Sequence, residues 1–209
     1  MRGKGEVSRK RKGFTGLEAA IVLTAFVVVA AVFSYVVLNA GFFTTQKSKE
    51  VVHTGVEQAT SSIELAGDVI GYNGTGDNAS KLTKVTFYLR LTAGHNPIDL
   101  NRTVLAFSND RVHIGNITFN ASLQVPDENR KETSNNDGEW FYNMTHAGGD
   151  NMIDAGEIVQ VDVLIPYANG DGYVNPNEYF TIEVKPPQGA TLSIQRKAPP
   201  SIDSVMDLT

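Results

Sequence analysis

The 209-residue chain contains no cysteine. Disulfides, thiolate metal sites and a cysteine nucleophile are excluded together. Durability must then come from packing, assembly, metal or glycan. Charge is missing too, over one long interval. After Glu18 none appears until Lys47. Proline is absent from residues 14 to about 70, and beyond the first turn the only glycines there are Gly41, Gly55 and Gly67. Such a run can cross a hydrocarbon core, which needs roughly 20 apolar residues. The four histidines, His53, His95, His113 and His146, lack metal-ligand spacing. There is no Rossmann or P-loop pattern and no serine in a nucleophile-elbow setting. Nothing pairs two carboxylates in an apolar pocket. These absences point away from an enzyme.

What is present begins with a join. The leader carries Arg2, Lys4, Arg9, Lys10, Arg11 and Lys12 against Glu6 alone, and it ends at Gly13. Phe14-Thr-Gly-Leu-Glu18 follows, then the apolar run. A secretory signal is cut after its apolar region. Here the cut is expected before it, between Gly13 and Phe14, so the apolar segment is retained. The formal charge of −5 hides this asymmetry; without residues 1–13 the chain has 12 basic and 22 acidic residues, near −10. A basic cluster beside a membrane segment stays on the cytoplasmic side, which turns the rest outward. The acidic balance argues against a nucleic-acid partner.

Three segments follow: a cleaved leader over 1–13, a helix over 14–70 and an outer β domain over 71–209. Residues 19–38 are apolar on nearly every side, so that half of the helix needs lipid or protein all round. Beyond Lys47 the apolar positions narrow to Val52, Val56, Ala59, Ile63, Ala66 and Ile70. Steps of four and three put them on one seam facing a partner. The seam fits either a stalk packed on its own domain or a bundle of copies. Gly71-Tyr-Asn-Gly-Thr-Gly-Asp-Asn78 is the expected helix exit. After it, Val85, Phe87, Leu89 and Leu91 alternate with polar residues as a half-buried strand does. Further strands are expected at 98–107, 111–119, 120–125, 139–144, 157–165, 178–185 and 190–196. Short strands at that spacing point to a β-sandwich or barrel. The fold class is α+β.

Several motifs carry chemistry. Thr15-Gly-Leu-Glu18 fits a capping box, and a carboxylate there also meets the helix dipole. Six Asn-X-Ser/Thr sequons occur, at Asn73, Asn78, Asn101, Asn116, Asn120 and Asn143, none of them in the apolar run. They are N-glycosylation candidates. Asp150, Asn151, Asp154 and Glu157 lie in an oxygen-rich loop that offers ligands to Ca²⁺ or another divalent cation. Asn169 to Glu178 is a second such loop. Neither has EF-hand spacing, and a solvated hairpin turn is the competing reading of each. No cofactor is required.

Lys10-Arg-Lys-Gly-Phe-Thr-Gly-Leu-Glu-Ala-Ala-Ile-Val-Leu resembles the class III signal of type IV pilins. Within that superfamily the chain is most similar to archaeal flagellins (archaellins). The similar blocks are Ala25-Phe-Val-Val-Val-Ala-Ala-Val-Phe-Ser-Tyr-Val36, Asn96-Pro-Ile-Asp-Leu100, Gly149 to Glu157, Asn177 to Ile182 and Pro187-Gln-Gly-Ala190. The resemblance implies cleavage after Gly13 by a membrane aspartyl peptidase. It implies a membrane-inserted precursor and a homo-oligomeric extracellular filament, the archaellum, turned by a membrane motor. It also implies an immunoglobulin-like antiparallel β-sandwich as the outer domain. The resemblance also implies that the Glu18 carboxylate helps subunit docking against a free N-terminal amine, as in pilin relatives. Some archaellins bind metal, and many are N-glycosylated. Two alternatives stay open: an adhesive type IV-like pilin, and a monomeric membrane-anchored binding domain.

Overall fold

The computed structural model describes residues 16–60, 62–92, 96–123, 130–133, 135–144 and 150–208. The chain divides into two compact units, Met1–His53 and Thr54–Thr209. One helix, α1 (Gly16–Thr60), fills the described part of the first and runs into the second. Its residues are mostly strong or apolar helix formers with no proline. Thr24, Thr44 and Thr45 turn their hydroxyls back onto the carbonyls of Ala20, Ala40 and Gly41, at 3.0, 2.8 and 2.9 Å. A threonine so bonded satisfies its hydroxyl proton within its own helix.

The helix ends ten residues before the expected boundary. Ile63–Leu65 then forms β1, and Ile70–Asn73 forms β2. Both pair antiparallel with β3 (Leu82–Leu91). The sequence between 63 and 70 therefore belongs to the β domain. Gly71 is not a helix exit but a strand residue. A Cβ there would lie 2.6 Å from Leu82 Cδ1 and 2.9 Å from Leu208 Cδ1, so the neighbouring chains close over bare backbone.

The remaining strands are β4 (Ile98–Asp99), β5 (Val104–Asn109), β6 (His113–Ile114), β7 (Thr118–Phe119), β8 (Glu139–Met144), β9 (Met152–Ile153), β10 (Ile158–Leu164), β11 (Tyr179–Lys185), β12 (Leu192–Lys197) and β13 (Val205–Asp207). One sheet runs β13-β2-β3-β10-β8-β7, with β1 also on β3. The other runs β12-β11-β5-β6, and β4-β9 forms a separate ribbon. All pairs are antiparallel except β7 with β8. Val85, Phe87, Val161, Val163 and Trp140 from the first sheet share a core with Leu105, Phe107, Phe180, Ile182 and Val184 from the second. This is a β-sandwich, the packing that short alternating strands favour.

Three strand expectations are corrected in detail. Residues 98–107 are two strands, because the Asp99 carboxylate accepts from the Asn101 amide and opens a 3₁₀ turn over Leu100–Arg102. Residues 111–119 are also two short strands, β6 and β7. Within 120–125 no strand forms among the described residues. The Asn120 side chain accepts from the Ser122 amide, and Ala121–Leu123 is a 3₁₀ turn.

Candidate assembly surface

The chemistry of α1 lies in what its side chains face. From Gly16 to Val56 the helix is apolar enough to cross a membrane over 41 residues, and none of its most apolar stretch is buried. Leu17 is 74% exposed, and Val22, the least exposed large apolar side chain on α1, is still 50% exposed. Phe26, Phe33, Tyr35, Phe42 and Phe43 stand out among them. Soluble monomers rarely show contiguous apolar patches beyond a few hundred Å². This surface needs lipid or protein around it. Its length separates the two. The 28 uncharged residues 19–46 span about 42 Å at ~1.5 Å per residue, against a hydrocarbon core of about 30 Å. A membrane anchor alone leaves roughly a third of that run unused.

The expected site residues fall in different places. Gly13 and Phe14, with Thr15 of the capping box, lie outside the described residues. Glu18 is exposed in the first turn of α1. Val52 and Val56 are exposed on the helix, at 64% and 53%. Ala59 is in the last turn, and its side chain lies outside the described residues. Ile63, Ala66 and Ile70 are not on a helical seam. Ile63 is in the sandwich core, the Ala66 amide donates to the Tyr88 carbonyl at 2.8 Å, and Ile70 lies in β2. The six-residue seam is therefore corrected to a helical part ending at Ala59 and a β part beginning at Ile63. In the β part the buried residues are Ile63, Val69 and Gly71, while Ala66 and Ile70 are half-buried, so burial does not follow the helical steps past Ile63.

The sequons lie in the outer domain but differ in surroundings. The Nδ2 of Asn73 donates to the Ala79 carbonyl at 3.1 Å, and that of Asn78 donates to Glu132 at 3.1 Å. Asn101 is exposed, and its side-chain amide lies 3.1 Å from the Tyr142 hydroxyl. Asn116 is exposed, whereas Asn120 and Asn143 are half-buried.

The oxygen-rich loops are built from hydrogen bonds. Asp154 and Glu157 close a turn in which the Glu157 amide donates to the Asp154 carbonyl at 3.1 Å and the Asp154 amide donates to the Glu157 carboxylate at 2.9 Å. Gly156 supplies the positive φ, +90°. Asn175 and Glu178 repeat the device at 3.2 and 2.8 Å, with Asn177 at φ +64°. One turn leads into β10 and the other into β11. Asp150 accepts from the Met152 amide, and the Asn151 side chain accepts from Tyr142. Among the described residues no three His, Asp or Glu gather as metal ligands.

Sequence reasoning missed two charge pairs. Lys84 Nζ lies 3.0 Å from Asp162, with side chains 6% and 1% exposed. Asp162 also accepts from Thr86 at 2.5 Å and Gln160 at 2.9 Å, and the Lys84 ammonium faces the Tyr72 ring at 5.0 Å. The pair sits on the β3 and β10 face opposite Val85 and Val161; residues far apart in sequence gave no signal of it. Arg111 donates to the carbonyls of Asp171 and Tyr173 and pairs with Glu178 at 3.2 Å. The Asx-X-Gly/Asn-Glu pattern at 154–157 and 175–178 could have announced the twin turns. Burial, then the Glu132 charge, raises the Tyr173 phenol to about 12. Burial, then Asp99, raises that of Tyr142. The hydrogen bond and charge of Lys185 lower the Glu183 carboxyl.

With this geometry in hand, the comparisons with known proteins agree. The family model for archaeal-type flagellin matches residues 13–196. The chain is 48% identical over 204 residues to a protein of Archaeoglobus fulgidus named "Probable flagellin 1", covering 96% of each. The solved archaeal flagellum of Methanospirillum hungatei superposes with a TM-score of 0.67 at 31% identity, over 93% of this chain and 99% of that one. Archaeal flagellin FlaB1 of Methanocaldococcus jannaschii shares the fold at a TM-score of 0.55 and 20% identity, over 71% of this chain and 96% of that one. A long apolar helix joined to a β-sandwich thus defines a class of filament-forming proteins. The chain belongs to the archaeal-type flagellins, the filament subunits of the archaellum.

Proposed function

We propose that copies of the chain join through α1, whose apolar surface becomes the dry core of the filament, and that the protein carries no enzymatic activity. The observation that carries this is the fully exposed apolar helix, longer than a bilayer needs. Covering it removes apolar surface from water at about 25 cal/mol per Å². Before assembly the same helix holds the precursor in the cytoplasmic membrane, with the basic leader inside. A prepilin-type leader peptidase cuts between Gly13 and Phe14. The archaellum assembly and motor machinery then extracts and turns the filament outside the cell. The sandwich faces the medium and carries glycan on its accessible sequons. A divalent cation at Asp150, Asn151, Asp154 and Glu157 would have to displace the turn bonds these residues make. Intact-mass analysis of sheared filaments tests the scheme. The expected N-terminus is Phe14; a start at Met1, or one beyond the apolar run, overturns it.

A further inference from the structure

We propose that Asn39 sets the register between neighbouring copies, its side-chain amide pairing with Tyr35 or Gln46 of the adjacent copy. This rests on the reading that copies join through α1. Asn39 is the one amide side chain between Ala19 and Thr45. It is exposed, and among the described residues its side chain makes no hydrogen bond. The threonines of the same run close on their own helix: Thr24 on Ala20, Thr44 on Ala40 and Thr45 on Gly41. They enter a dry core without needing a partner. Asn39 cannot, because its amide has two donors and an acceptor oxygen to satisfy. The helix neighbours at three and four residues are Tyr35, Val36, Phe42 and Phe43. Three are apolar, and Tyr35 makes no bond to it.

Position strengthens the case. Tyr35, Asn39 and Gln46 follow one another by four and seven residues, which puts them on one face of α1. A neighbouring copy, displaced along the axis, brings the same face with hydroxyl and amide partners. In a bilayer, the twenty residues from Ala19 to Leu38 cover ~30 Å, the thickness of the hydrocarbon core. Asn39 then stands at the outer boundary, within reach of water. It loses that water only when helices close around it. A single amide in an otherwise apolar helix interface fixes register and partner alignment at some cost in stability. The pairing is thus specific to the assembled state.

The test uses the full chain, expressed in cells that carry the assembly machinery. Asn39→Leu removes the amide at similar volume, and Asn39→Gln keeps it. We expect Asn39→Leu filaments at wild-type abundance, with an equal or higher dissolution temperature, but with image classes split between two or more helical lattices. Asn39→Gln should keep one lattice. If Asn39→Leu forms no filaments while its membrane level and leader cleavage are normal, and Asn39→Gln forms them, the amide is needed for joining and the pairing stands. A single wild-type lattice for Asn39→Leu overturns the proposal, as does loss of filaments in both variants. Val29→Asp separates this from the parent reading. Abundant filaments from that variant would sink the helix core itself, whatever Asn39 does.

Discussion

Glu18 sits in the first turn of a helix whose next charge is Lys47. A carboxylate at the edge of so long an uncharged run is costly unless it meets a partner. Glutamine keeps the capping geometry and removes only the charge. If the cap were its whole role, Glu18→Gln would lose well under ~1 kcal/mol of dipole interaction and filaments would be normal. The expected outcome is subunits that are cleaved yet join filaments poorly, counted by electron microscopy of sheared cells. Lys84 and Asp162 pose the opposite problem, a pair already satisfied inside one chain. Removing one partner strands the other, so Asp162→Ala should destabilise the sandwich by about 3–5 kcal/mol, whereas replacing both with apolar residues should cost far less. Thermal melts of the outer domain carrying each change will decide it. A double variant as unstable as the single one would show that the ion pair itself is needed.

At the scale of elements, the junction between helix and sandwich matters most. β1 and β2 both pair with β3, and Ile63 and Val69 are buried in the core. A chain beginning at Ser62 should therefore be a soluble monomer with one cooperative melt. A chain beginning at Ala79 loses β1 and β2 and should aggregate or fail to melt cooperatively, as read by size exclusion and circular dichroism. Ile63→Asp likewise acts on the sandwich rather than on a helix seam. A buried unpaired charge costs several kcal/mol, so its melting temperature should drop by ~10 °C or more. Much of this architecture was legible in the residues. The uncharged run declared α1, and β3, β10 and β11 show period-two alternation that periodicity reads directly. β1 and β2 escaped because 63, 66 and 70 continue the steps of 52, 56 and 59. The break at Leu100–Arg102 escaped because it depends on one Asp99 side-chain bond. The parallel pairing of β7 with β8 and the Lys84–Asp162 contact are properties of topology, which no local pattern encodes. For the candidate site, the apolar surface of α1 was plain from composition, while its end at Thr60 was not.

At the scale of the whole molecule, the proposed assembly asks one chain to satisfy two solvents in turn, lipid and then its own copies. The sandwich also has a limit set by titration. Tyr173 is held neutral to about 12, while an unfolded tyrosine ionises near 10.0. Between those values the unfolded state binds fewer protons, so stability should fall as pH rises from about 10 to about 12. Tyr173→Phe should flatten that fall in a melt series, and an unchanged slope would assign the loss elsewhere. The two solvents can be separated by length. Deleting residues 40–46 removes seven residues, close to two helical turns, which keeps the faces in phase within about 20°. The uncharged run then covers residues 19–39, or about 32 Å, still enough for the hydrocarbon core. Membrane insertion and leader cleavage should be unaffected, because both need only a spanning segment beside the basic leader. Filament contact should suffer, because the deleted stretch carries Phe42 and Phe43, each 64% exposed and each awaiting cover. The expected result is a processed, membrane-held subunit that yields few or short filaments. Wild-type filaments from the deleted chain would show that the length beyond a bilayer has no part in assembly.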